Sequence, residues 1–125
     1  MSCLFDSLSS FLPNVSSNEL RQIIVDYLQT NPVLMAPKVK ASDIVRLETN
    51  EVDFRGYLDR MRRHETWGGA LEIRSFVELF HMRVRVFVVS NRKWIEFVPQ
   101  GITKGIITLH WTGSHYTPGS KKCVL

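Results

Sequence analysis

The apolar residues of this chain change their repeat near residue 81, and that change restricts the fold more than any other feature. Up to Phe80 they recur at three and four residues, the spacing that lines one side of a helix. Leu4, Phe5, Leu8, Phe11 and Leu12 make the first such run, which Pro13-Asn14 stops. Ser16-Ser17-Asn18-Glu19 reads as a capping box that opens a second helix with Leu20, Ile23, Ile24, Tyr27 and Leu28 on its face, closed by Asn31-Pro32. Ser42 or Asp43 caps a short third helix through Ile44, Val45 and Leu47. Phe54, Tyr57, Leu58 and Met61 mark a fourth, ending in the basic run Arg60–Arg63, which suits a helix C-terminus. Trp67-Gly68-Gly69 interrupts, and Ala70–Phe80 is apolar around most of its circumference, which predicts a central, buried helix.

Beyond residue 81 the period shortens. Arg83–Val89 is β-branched and partly alternating, so it reads as a strand, and Ser90–Lys93 turns the chain into a second at Trp94–Val98. Pro99-Gln100-Gly101 breaks that strand and Ile106–Trp111 forms a third. Thr112-Gly113-Ser114 turns so that His115 and Tyr116 stand at the start of another strand. Pro118-Gly119 then predicts a final turn into Lys122–Leu125. Helices first and a small, hairpin-rich, mostly antiparallel sheet after them give an α+β fold, read as one domain over residues 1–125.

Composition excludes several classes of function. Apolar residues make up 44% and charged residues 22%, as in an ordinary globular domain. Sixteen basic and twelve acidic residues leave a net charge of +4, too weak to argue for nucleic acid without a clustered patch. No uncharged apolar run approaches the about 18 residues that span a bilayer, so no membrane is expected. The first twelve residues carry Asp6 and no basic stretch, unlike a secretory leader. Cys3 and Cys123 then read as free thiols in a reduced, cytoplasmic protein, and Asn14-Val15-Ser16 as a glycosylation sequon by pattern only. His64, His81, His110 and His115 lack the close spacing of metal ligands, so no metal and no cofactor is expected. No unusual apolar stripe argues for self-association, and a monomer is expected. Both termini look like cuts, as in a domain excised from a longer polypeptide.

Chemistry concentrates at the two ends. Cys3 stands at the head of the first helical run, where free N–H groups and the positive end of the helix dipole favour a thiolate. His115 lies near the other end, and a neutral imidazole can take a thiol proton and return it to a leaving amine. Read singly, Cys3 is an ordinary small buried residue and His115 a solvated turn histidine. Trp67-Gly68-Gly69 alone is a turn with a packed indole, and Glu72 a carboxylate stabilised at a helix start. Arg60, Arg62 and Arg63 with Lys38 and Lys40 read as a solvated face or as one that meets a protein partner. Read together, Cys3 and His115 point to a cysteine hydrolase.

Three segments in register resemble the ovarian-tumour (OTU) family of cysteine proteases, which are papain-like. Ser2-Cys3-Leu4-Phe5-Asp6-Ser7-Leu8 resembles the family's nucleophile segment, where a Cys opens the central helix. Thr66-Trp67-Gly68-Gly69-Ala70-Leu71-Glu72-Ile73 is similar to its loop-plus-helix segment, and His115-Tyr116 to its His-aromatic pair. The resemblance implies deubiquitination, the hydrolysis of the (iso)peptide bond after the ubiquitin Gly-Gly tail. It makes Cys3 the nucleophile and His115 its general base, and it sets Trp67, Gly68, Gly69 and Tyr116 against the substrate tail. A tail ending in Gly-Gly calls for a slot too narrow for side chains, which small residues beside an aromatic wall provide. Ubiquitin, polyubiquitin or a ubiquitin-like modifier is the implied partner, with no cofactor.

Two departures from the family pattern bear on mechanism. An Asp-Gly-Asn-like loop usually precedes the Cys, where this chain has Met1-Ser2. Asp or Asn is common two places beyond the His, where this chain has Thr117. The reading is therefore a Cys3–His115 dyad with Thr117 as a candidate orienter of the imidazole. The departures and the cut-looking ends suggest a viral setting, in which the protein would act in the host cytoplasm. The alternatives are a viral polyprotein-processing cysteine protease and a catalytically degenerate ubiquitin-binding module.

Overall fold

In the computed structural model, which describes residues 3–34, 39–49 and 53–123, the change of period at residue 81 becomes a change from helix to sheet. The first helix, α1 (Cys3–Ser9), buries Leu4, Phe5 and Leu8 completely, and Phe11 and Leu12 continue the contact as a turn. In α2 (Ser17–Gln29) the expected cap is present: Ser16 is extended and its hydroxyl accepts from the Glu19 N–H at 3.1 Å. The buried arc is Leu20, Arg21, Ile24, Val25 and Leu28. Ile23, expected on that face, is 37% exposed, and Arg21, with a charged side chain, is only 1% exposed. The arc is rotated because α2 packs against α1, α4 and α5 together, and one apolar stripe cannot serve three neighbours.

Arg21 is satisfied inside the core. Its guanidinium donates to the Met61 carbonyl at 2.7 Å and the His64 carbonyl at 3.1 Å, and lies 4.2 Å above the Phe5 ring. Burial lowers its pKa, while the carboxylates of Glu72, Asp6 and Glu65 act in the opposite sense.

Asn31, in the left-handed region at φ 52°, ends the α2 segment and starts the next. A two-residue pair, β1 (Val33–Leu34) with β2 (Val39–Lys40), precedes α3 (Ala41–Thr49). Such short strands carry no readable period, so sequence reasoning did not find them. The cap of α3 also differs from expectation. Asn31 Oδ1 accepts from the Ser42 N–H at 2.9 Å and its amide donates to the Ser42 hydroxyl at 3.1 Å, so neither Ser42 nor Asp43 caps this helix by itself. Leu47 is 77% exposed, and Ala41, Ile44 and Val45 make the contact instead. The fourth helix, α4 (Phe54–Met61), begins where Asp53 accepts from the Gly56 N–H. Arg62 at its end is no solvated cation: it bonds Gln22, Asp26 and Gln29 of α2. The central helix, α5 (Ala70–Phe80), has the predicted bounds and buries Leu71, Glu72, Ile73, Ser75, Phe76 and Val77. Burying a side chain such as Phe76 contributes about 1.5–3 kcal/mol.

His81, at φ 55°, turns the chain out of α5 into the sheet. The strands β3 (Met82–Val88), β4 (Lys93–Phe97), β5 (Gly105–Trp111) and β6 (Tyr116–Cys123) stand in the order β4-β3-β5-β6. The β3–β4 and β5–β6 pairs are antiparallel and β3–β5 is parallel, so the sheet is mixed with antiparallel pairs dominant. Alternation holds along β3, where Val84, Val86 and Val88 turn inward beside Ile107 and Leu109. Pro118-Gly119, expected as a turn, lies within β6, where the register shifts against β5. A Cβ at Gly119 would come within 2.9 Å of the Thr108 carbonyl oxygen, so close strand approach, not a turn, explains this glycine. Val124, Leu125, Lys38 and the side chain of Cys123 lie outside the described residues.

Candidate active site

Each sequence candidate sits where two elements meet. Cys3 is the first residue of α1 and is half-buried with a free thiol. The turn that carries it cannot drift, because Leu4, Phe5 and Leu8 are locked in the core behind it. On the sheet side, the Ser7 hydroxyl donates to the Tyr116 carbonyl at 3.2 Å, which joins α1 to the start of β6.

The second part is the turn between β5 and β6. The Thr112 N–H donates to the His115 carbonyl at 3.0 Å, and the His115 N–H donates to the Thr112 hydroxyl at 3.2 Å. Gly113 has φ 103°, which an L side chain rarely adopts, so this position calls for glycine. Trp111 and Tyr116 face each other across the two strands with stacked rings, 6.1 Å between centroids. His115 is exposed, and its ring centroid lies 6.0 Å from that of Trp67.

The third part is the Trp67-Gly68-Gly69 loop. Thr66 anchors its start, donating from its N–H to the Arg63 carbonyl and from its hydroxyl to the Arg60 carbonyl. A Cβ at Gly68 would fall 2.9 Å from Leu4 Cδ2 and 2.9 Å from Phe5 Cε2, so the loop backbone presses directly on the first turn of α1. Gly69 has no such neighbour: its nearest atom to an added Cβ is Glu72 Oε1 at 4.0 Å. The Gly69 N–H donates to that oxygen at 2.7 Å, and Glu72 Oε2 accepts from the Tyr57 hydroxyl at 2.6 Å. Trp67 is 53% exposed.

These parts enclose a cleft of about 170 Å³. Cys3 lines one side, Trp67, Gly68 and Gly69 a second, and Trp111, Gly113, Ser114 and Tyr116 a third. A further cleft of about 270 Å³ lies against the same loop, walled by Tyr57, Arg60, Met61 and Glu72 among others. The Tyr116 phenol is pushed up to about 12, first by burial and then by negative charge at Cys3 and Glu72. It stays protonated at neutral pH. Among the described residues no group of three or more His, Cys, Asp or Glu side chains could hold a metal ion.

The structure therefore brings together Cys3, Trp67, Gly68, Gly69 and Tyr116 around one cleft. His115 sits at its rim, between the cleft-lining Ser114 and Tyr116, with its ring beside Trp67. Thr117 is exposed and pairs with His110 across the strands, and among the described residues no hydrogen bond joins it to His115. Sequence reasoning missed Trp111, Gly113 and Ser114. The Gly-Ser pair directly before His115 was the available signal, since a tight turn presents its backbone to whatever the histidine faces. Glu72, by sequence a helix-start carboxylate, is in the structure a buried group that holds two elements together.

Residues 2–117 match the family model described as OTU-like cysteine protease. The chain belongs to the OTU-like cysteine protease family. Among curated relatives, a mouse protein named ubiquitin thioesterase OTU1 is 29% identical over 123 residues, covering 94% of this chain and 33% of the relative. This OTU chain thus spans about a third of the length of that protein. Among solved structures, an ovarian tumor domain in complex with ubiquitin superposes with a TM-score of 0.77 at 21% identity, covering 99% of this chain and 68% of that one. The viral OTU domain protease of Dera Ghazi Khan virus gives a TM-score of 0.66 at 17% identity, with 99% and 76% covered. Both share the fold of the chain.

Proposed function

We propose that this OTU domain is a cysteine deubiquitinase that cleaves after a Gly-Gly tail, with Cys3 as nucleophile and His115 as general base. The observation that carries the reading is the cleft itself, where Cys3 shares one small opening with Trp67-Gly68-Gly69 and Tyr116. The wall of that cleft has no side chain at Gly69, which suits a substrate tail that has none either. The mouse relative named a ubiquitin thioesterase and the fold shared with a ubiquitin-bound domain support ubiquitin, or a modifier with the same tail, as the substrate.

His115 takes the Cys3 proton and the thiolate adds to the carbonyl carbon of the terminal glycine. Backbone N–H groups near Cys3 stabilise the oxyanion. The C–N bond then breaks as His115 returns the proton to the lysine amine, leaving a thioester. Water, deprotonated by His115, releases the glycine carboxylate and restores the thiol. Thr117, with no bond to His115, is not needed in this sequence, which is that of a dyad.

One observation favours a second reading. His115 stands at the rim beside Trp67 and does not line the cleft, an arrangement that would suit a ubiquitin-binding module without turnover. Ubiquitin bearing a C-terminal electrophile separates the two. A covalent adduct with wild type, absent in Cys3→Ala and slowed in His115→Ala, supports the hydrolase. Ubiquitin binding that survives Cys3→Ala, with no adduct from folded wild type, supports the binding module.

A further inference from the structure

The loop Trp67-Gly68-Gly69 lies beside both members of the proposed dyad. Gly68 lies against Leu4 and Phe5, directly behind Cys3, and Trp67 lies beside the ring of His115. Trp67 is more than half exposed, so apolar burial does not fix the loop along its whole length. Something else must hold its far end.

We infer that Glu72 is a positioning residue: its buried carboxylate clamps the Trp67-Gly68-Gly69 loop against α4 and so sets the width of the substrate slot and the place of His115. Glu72 is 1% exposed. One oxygen accepts the Gly69 N–H at 2.7 Å and the other the Tyr57 hydroxyl at 2.6 Å, so a single rigid carboxylate ties the loop to α4 across the start of α5. The group is also at the third position of α5, where it supplies one half of a capping box by accepting from the N–H of the cap residue Gly69. A glycine cap has no side chain to return the bond, so the loop depends on Glu72 where other helix starts have a reciprocal pair. The loop divides the Cys3 cleft from the one walled by Tyr57 and Glu72. Releasing it would let the two openings merge.

The inference rests on the proposed hydrolase reading, so the test carries one readout with ubiquitin and one without. Wild type, Glu72→Gln, Glu72→Ala and Tyr57→Phe are compared in three measurements. These are the NMR resonances of the His115 imidazole, alkylation of Cys3 by iodoacetamide, and labelling by ubiquitin with a C-terminal electrophile. In Glu72→Ala the His115 resonances move as the Trp67 ring current is lost and ubiquitin labelling slows at least tenfold, while alkylation changes less than threefold. Glu72→Gln keeps an acceptor for Gly69 and restores the His115 spectrum and most of the labelling. Tyr57→Phe gives an intermediate effect, and it decides the matter if Glu72→Ala does not fold. An unmoved His115 spectrum in folded Glu72→Ala, or in Tyr57→Phe where Glu72→Ala does not fold, overturns the inference. Equal losses in alkylation and labelling overturn it as well, because they mark general damage. If wild type alkylates but never takes the ubiquitin probe, the hydrolase reading fails, and the His115 spectra still decide the role of Glu72.

Discussion

Gly68 and Gly69 are neighbours in sequence, yet the structure gives them different reasons to be glycine, and alanine at each should fail differently. A methyl at Gly68 would sit 2.9, 2.9 and 3.1 Å from Leu4 Cδ2, Phe5 Cε2 and Phe5 Cζ. The end of Leu4 can rotate away. The Phe5 ring is fully buried with the Arg21 guanidinium 4.2 Å above it, so it has nowhere to retreat. Overpacking of this kind costs about 1–3 kcal/mol, and the blocked ring argues for about 2 kcal/mol. For a domain of this size that is roughly 6–10 °C in Tm. At Gly69 the added methyl meets nothing closer than 4.0 Å. A lower unfolded-state entropy gains about 0.4–1 kcal/mol, and alanine as a helix cap loses a similar amount, so stability should hold within about 0.5 kcal/mol. Gly69 lines the slot, and if the methyl costs a substrate tail about 1.5–3 kcal/mol of fit, kcat/KM falls by roughly 10- to 150-fold, mostly through KM. Thermal denaturation and hydrolysis of ubiquitin with a C-terminal fluorophore measure both quantities. Equal Tm losses in the two variants, or a Gly69→Ala enzyme with unchanged kcat/KM, would refute the reasoning.

Three further outcomes are expected. Arg21→Leu strands the Met61 and His64 carbonyls and removes the cation over Phe5, for a loss of about 3 kcal/mol in urea denaturation; a loss below about 1 kcal/mol contradicts the role given to this residue. The Tyr116 phenol, raised to about 12 from an ordinary value near 10, binds its proton more tightly in the folded state. Its contribution is complete below pH 10 and is lost as pH rises towards 12, which absorbance titration at 295 nm and stability curves of Tyr116→Phe should show together. Thr117→Val should leave kcat within about threefold, because no hydrogen bond links Thr117 to His115, whereas a catalytic orienter is worth orders of magnitude; a loss beyond a hundredfold restores it to the site.

The legible parts of the sequence were those governed by local physics. The cap at Ser16, the bounds of Ala70–Phe80 and the period-2 strand after His81 follow from spacing and side-chain type within a few residues. The illegible parts depended on neighbours distant in the chain. Ile23 is exposed and Arg21 buried because α2 packs on three helices at once. Asn31 caps α3 from across a short strand pair. Pro118-Gly119 lies in a strand because β5 holds it there.

The site divides in the same way. By itself the sequence determined that a thiol heads a helix, that an imidazole follows a tight turn and that two glycines interrupt the chain before its central helix, because each is a local property of residue type and order. Only the tertiary structure decided that the thiol and the two glycines share one cleft with the imidazole at its rim beside Trp67, that Gly68 rests on Phe5, and that Glu72 grips Gly69 and Tyr57 together. The cleft and the Gly68–Phe5 contact join residues far apart in the chain, and such distances are fixed by how the core packs.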